Sequence, residues 1–136
     1  MMKKTYSEML TKQTFMERYE YLRLRGHIGE TTFGFNRYLN QQFYTSPIWR
    51  SIRNQVIIRD EGCDLACKDR EIVGRIYIHH INPISMEMFE WDDPLLYDLE
   101  NLVSVSFDTH SAIHYGDSSL LIQDYIPRQP GDTKLW

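Results

Sequence analysis

Cysteine is scarce: Cys63 and Cys67 are the only two in 136 residues, too few for a disulfide framework. Three residues separate them, where a metal knuckle or redox pair needs two, so both read as small buried residues. Long apolar runs are missing too. Stretches such as Val56-Ile57-Ile58 fall far short of the roughly 20 residues a bilayer crossing requires. Met1-Met2-Lys3-Lys4 leads into no signal-type apolar segment, so a cytoplasmic protein without a membrane partner is expected. There is no internal repeat, low-complexity tract or Gly/Ser linker, which points to one domain. A net charge of −4 argues against a sequence-blind nucleic-acid coat. What is present is ordinary globular material: 42% hydrophobic residues and 9 Tyr, 6 Phe and 3 Trp to build a core.

The charge is unevenly spread. Residues 1–59 carry 10 Lys/Arg against 4 Asp/Glu, and residues 60–136 carry 5 against 15. The basic half can present a local phosphate-binding face, although solvated surface charge is the plainer reading. Within it, Thr14-Phe15-Met16-Glu17 reads as a capping box for a helix bearing Phe15, Tyr19 and Leu22, stopped by Gly26. Residues 27–45 are mixed, with a short helix expected from Asn36 to Phe43. Ser46-Pro47 starts another helix, whose apolar stripe is Ile48, Trp49, Ile52, Val56 and Ile57. Arg50 and Arg53 point away from that stripe. They and Arg59 are equally well read as solvated charge or as cations tracking a DNA backbone, while Lys3, Lys4 and Lys12 read as solvated tail.

Glu71 to Ile81 is rich in β-branched residues and reads as a strand, with a hairpin turn possible near Gly74. It runs into His79-His80. An acidic, aromatic loop follows through Trp91-Asp92-Asp93-Pro94, then a second strand over Asn101 to Ser106, then a helix over Thr109 to Tyr115 capped by Gly116. Trp49, Trp91 and the Tyr/Phe set read as core rather than as base-stacking platforms.

Histidine carries the chemistry. All but His27 fall within 36 positions, as His79, His80, His110 and His114. His110 and His114, four apart on a helix, share a face and can grip one ion. Neighbours in a strand project to opposite faces, so one of His79 and His80 can join them and the other cannot. Three neutral imidazoles with positions left open to water describe a catalytic site better than a closed structural one.

The order of strand with His-His, loop, Asn-bearing strand and helix with His-x-x-x-His resembles the ββα-metal (His-Me finger) site of the HNH endonucleases. The residues carrying it are Ile78-His79-His80-Ile81-Asn82-Pro83, Leu99-Glu100-Asn101-Leu102-Val103 and Thr109-His110-Ser111-Ala112-Ile113-His114. Upstream, Arg59-Asp60-Glu61-Gly62-Cys63 resembles the family's approach to the site. Including Thr32-Phe33-Gly34-Phe35 and His114-Tyr115-Gly116-Asp117, the chain is similar to small HNH proteins of phages and prophages of Gram-positive bacteria. The resemblance implies an α+β fold: an N-terminal helical extension over 1–46, an HNH core over 47–117 and a tail over 118–136. It implies His80 as general base, with His79, His110 and His114 as ligands of one divalent ion in the colicin-type pattern. Asn101 would bridge the loop to the base-bearing strand or bind metal, and bridging is favoured. Arg75, on His79's side of the strand together with Tyr77, is a candidate phosphate contact beside Arg50 and Arg53.

The chain departs from the family pattern at one place. Where many members carry a second Cys-x-x-Cys pair, this sequence has Ser106 and Thr109, so no structural zinc is expected. The working ion stays open among Mg²⁺, Mn²⁺, Ni²⁺ and Zn²⁺, as does oligomeric state. The expected activity is metal-dependent DNA cleavage or nicking that leaves 5′-phosphate and 3′-hydroxyl ends, with DNA and phage DNA-processing proteins as partners. The competing reading is a noncatalytic nucleic-acid-binding or DNA-packaging accessory protein that keeps the fold. A toxin nuclease would need an export or receptor-binding domain that does not fit in 136 residues.

Overall fold

The computed structural model describes residues 3–24 and 37–121. The expected Gly26 stop, His27, Thr32-Phe33-Gly34-Phe35 and most of the expected tail lie outside them. The elements are α1 (Tyr6–Leu10), α2 (Phe15–Leu22), α3 (Arg37–Thr45), α4 (Pro47–Arg59), β1 (Tyr77–His80), α5 (Met86–Trp91), β2 (Leu102–Val105) and α6 (Phe107–Tyr115). The architecture is α+β: helices around a two-stranded antiparallel sheet. No helix among the described residues is long and apolar enough to cross a membrane.

The sheet separates two apolar clusters because side chains alternate along each strand. β1 pairs with β2 in the register Tyr77 with Val105, Ile78 with Ser104, His79 with Val103 and His80 with Leu102. Val103 and Val105 face Met9, Tyr19, Leu22 and Ile113, so α1, α2 and α6 close one side. Leu102 and Ile78 face Phe43, Trp49 and Val56, so α3 and α4 close the other. Fully burying a side chain the size of Val56 or Leu102 contributes about 2 kcal/mol, and two short strands need such cover on both faces to persist.

α4 starts as its sequence dictates. The Ser46 hydroxyl accepts the Trp49 N–H at 3.2 Å and Pro47 occupies the first turn. Trp49 and Val56 are buried, but Ile48 at the stripe's edge is exposed. At α2, Thr14 accepts the Glu17 N–H. That helix stops at Leu22, because Leu24 N–H donates to Ile113 O of α6 at 3.0 Å and draws the chain away. Gly116, at φ 68°, ends α6 there, and a Cβ on it would meet Leu24 O at 2.6 Å.

Several expectations are corrected. β1 covers four residues, not Glu71 to Ile81: opposite Tyr77 stands Val105, and beyond it Ser106 already caps α6, so the ladder has no further partner. The acidic loop contains α5, which forms because Met88 and Phe89 pack on the cluster containing Phe43. Trp91 is 73% exposed rather than core. Helical spacing puts Arg18 on a face of α2 that can stay wet, yet it donates to Lys12 O and Leu65 O, both at 2.9 Å. Arg59 is not plain solvated charge: it donates to Leu99 O and Leu102 O, both at 2.6 Å, and pairs with buried Asp60. The N-terminal lysines belong to an anchored arm, with Lys3 and Lys4 N–H groups donating to Asn82 Oδ1.

Candidate metal centre

α6 is positioned by a buried carboxylate. Asp64 accepts hydrogen bonds from Ser106 N–H at 3.2 Å, Ser106 Oγ at 3.0 Å and Thr109 Oγ1 at 2.5 Å. Ser106 in turn accepts Thr109 N–H and caps the helix. Burial pushes the Asp64 carboxyl up, and the donors from Thr109 and Ser106 pull it back. Ser106 and Thr109 are thus both tied to a carboxylate on the loop after α4.

One turn into α6, His110 and His114 place their Nε2 atoms 3.0 Å apart. His79 comes from β1, edge-on to both, with ring centroids 5.6 Å and 5.2 Å away. One nitrogen from each ring lies within 4.8 Å of the others. His79 is buried and its Nε2 has no hydrogen-bond partner, the kind of group a fold leaves bare at a cost of about 1–3 kcal/mol. A buried ring nitrogen without a partner, on one of three neutral imidazoles that converge, fits a divalent cation of the Zn²⁺, Ni²⁺ or Mn²⁺ type. Among the described residues, no other set of His, Cys, Asp or Glu side chains converges this way.

His80 points the other way. It lies on the α4 face, its ring stacked on Trp49 at 5.4 Å and 18°. Its Nε2 sits 3.1 Å from Leu96 O. A carbonyl can only accept, so Nε2 carries the proton and Nδ1 keeps its lone pair. His80 is 8% exposed, and no described residue bonds Nδ1.

Comparison of the chain with protein-family models, curated proteins and solved structures finds no match. The residues and their geometry therefore carry the reading.

Asn101 bridges. Fully buried, its Oδ1 accepts Asn82 N–H at 2.8 Å and Asn82 Nδ2 at 2.7 Å, and its Nδ2 donates to Leu95 O at 3.0 Å. Those bonds fix the chain just past His80 and tie it to the turn that supplies Leu96 O. Asn82 is a partner the sequence does not advertise, since Asn before Pro reads as a plain turn. The three arginines differ. Arg53 is committed to Ile76 O at 3.0 Å, Arg50 is exposed on α4, and Arg75 is exposed with its guanidinium 5.3 Å from the Tyr77 ring centroid. Tyr77 stacks on His110 at 5.7 Å and 13°, so of the three Arg75 stands nearest the histidine group by side-chain contact.

Burial holds the four histidines neutral. It pushes His80 down to about 4; His110 falls to about 4 through burial and then the neighbouring His114 charge, and His79 and His114 are also lowered. In the unfolded chain these groups titrate near 6.5. Between pH 6.5 and 4 the unfolded state therefore binds protons that the fold refuses, so stability is complete above 6.5 and lost as pH falls. We expect urea unfolding of metal-free protein to show about 2–3 kcal/mol lost at pH 4.5, relative to pH 7.5, for each of His80 and His110. His80→Phe, which keeps a ring on Trp49, removes one share of that loss. Equal stabilities at the two pH values would contradict the burial of these rings.

Proposed function

We propose that this chain is a metal-dependent nuclease of the ββα-metal type that hydrolyses phosphodiester bonds in DNA. The carrying observation is one strand, β1, that presents a bare buried imidazole to two helical histidines on one face and a tautomer-fixed imidazole on the other. The order β1, β2, α6 supports the fold assignment, and the likeness to small phage HNH proteins makes phage DNA-processing proteins the expected partners.

His79, His110 and His114 would hold a divalent ion, which would supply Lewis-acid stabilisation of charge at the phosphoryl group. The protein's own groups do the rest. Among the described residues β1 pairs only with β2, and its other edge is where a phosphate would meet both faces of the strand. His80 Nδ1 takes a proton from water as the water oxygen bonds to phosphorus and the bond to the 3′ oxygen breaks; the 3′ oxygen leaves as an alkoxide that takes a proton from solvent, giving 5′-phosphate and 3′-hydroxyl ends, and His80 returns its proton to solvent. Trp49 and Leu96 O hold the His80 ring, Asn101 fixes the end of β1, and Arg75 attracts the phosphate.

The test is supercoiled plasmid incubated with metal-stripped protein and Mg²⁺, Mn²⁺, Ni²⁺ or Zn²⁺ added back. Conversion to open circle with at least one ion, and none with chelator, is the expected result. The tight cover on His80 favours a second reading, a noncatalytic nucleic-acid-binding module stapled by metal. Folded, metal-loaded protein that cuts neither plasmid nor single strands would establish that second reading instead.

A further inference from the structure

Phe107 opens α6 and is 60% exposed, although an aromatic side chain this size is ordinarily used to fill a core. It does not stand alone. Residues three and seven apart share a helix face, so Phe107 continues the stripe of His110 and His114. Its ring lies 5.9 Å from Tyr77, which stacks on His110 and carries the Arg75 guanidinium 5.3 Å from its own centroid. An exposed ring braced by a second ring, with one cation beside it, thus adjoins the histidine group.

That combination favours bases over backbone. Gripping a duplex takes several phosphate-neutralising cations, yet β1, β2 and α6 come from the half of the sequence with 5 basic and 15 acidic residues. Stacking needs only a free aromatic face and tolerates a sparse cation supply. A base inside a duplex hides its face between neighbours, whereas an unpaired one offers it.

We propose that Phe107 is the stacking platform for an unpaired nucleobase beside the cleaved phosphate, which makes the substrate single-stranded or locally melted nucleic acid. This rests on the nuclease reading for its position in the reaction, but the stacking can be measured without cleavage. The probe is a labelled single strand of about 12 nucleotides, as DNA and as RNA of one sequence, against a hairpin duplex of that sequence. Anisotropy is read for the full chain loaded with Zn²⁺. The wild type binds a single strand more tightly than the duplex. Phe107→Ala weakens single-strand binding about 5- to 100-fold and leaves duplex binding unchanged, while Phe107→Tyr restores it. The DNA and RNA arms identify which strand is preferred. Because Phe107 is exposed, the alanine variant keeps its melting temperature, so weaker binding cannot be put down to unfolding. Equal or tighter duplex binding, or an alanine variant that binds single strands like wild type, overturns the proposal. Cleavage by a protein that fails these binding arms leaves the nuclease reading standing alone. Phe107-dependent binding without cleavage under any ion sinks the nuclease reading and keeps the platform.

Discussion

His80→Ala is expected to slow metal-dependent cleavage by about 10²- to 10⁴-fold, the range for removal of a positioned general base, with metal affinity unchanged. The two halves of that expectation come from opposite faces of β1. Metal affinity belongs to the face where His79 meets His110 and His114. His80 lies on the Trp49 face and contributes no atom to that group. The side chain is well fixed for proton transfer, since Trp49 sets the ring plane and Leu96 O holds the Nε2 proton, leaving Nδ1 as the basic nitrogen. A buried base near 4 is fully deprotonated at pH 7, so its lone pair is always available. Truncation also opens a small cavity beneath Trp49, so both proteins are compared well below their melting temperatures, with titrations of bound metal alongside. Cleavage within tenfold of wild type would remove His80 from the chemistry. Loss of metal binding in the same variant would mean that the two faces are not independent.

Much of this arrangement is legible in local sequence because its causes are local. Ser46-Pro47 starts α4, Gly116 ends α6, and the four-residue spacing of His110 and His114 puts their nitrogens 3.0 Å apart once a helix forms. Alternation is enough to separate His79 from His80 and to put Tyr77 on the histidine side. Long-range partners are a different matter. The length of β1 is set by where β2 gives way to α6, much later in the chain, which no property of residues 71–76 reveals. Arg18, Arg53 and Arg59 look solvated in sequence, yet each satisfies backbone carbonyls that distant segments leave bare, Leu65 O, Ile76 O and Leu102 O among them. The Trp49 cover on His80 joins residues far apart in sequence and depends on how α4 crosses the sheet. Asp64 beside Ser106 and Thr109 joins segments far apart in sequence, and the exposure of Phe107 runs against its composition class.

His79→Leu is expected to reverse sign with metal. In metal-free protein the variant should melt at the same temperature as wild type or higher, because it exchanges a buried Nε2 without a partner for an apolar side chain of similar size. His79 lies opposite Val103, a member of the buried apolar cluster on that face of the sheet, which suits leucine. With Zn²⁺ or Ni²⁺ at about 100 times its dissociation constant, wild type gains about 2.7 kcal/mol, roughly 5–10 °C for a domain of this size. The variant retains only the His110 and His114 pair, so its affinity falls by at least about 100-fold and most of that gain disappears. Thermal melts with chelator and with each ion measure both terms in one protein. A wild type indifferent to every ion would show that the three imidazoles are packing, with the orphan nitrogen a plain cost. A variant that keeps the full metal-induced rise would place the ion elsewhere. Metal-free melts read the cost of the orphan nitrogen alone, which packing and ligand share, so the metal-induced rise and its dependence on His79 are what separate the two.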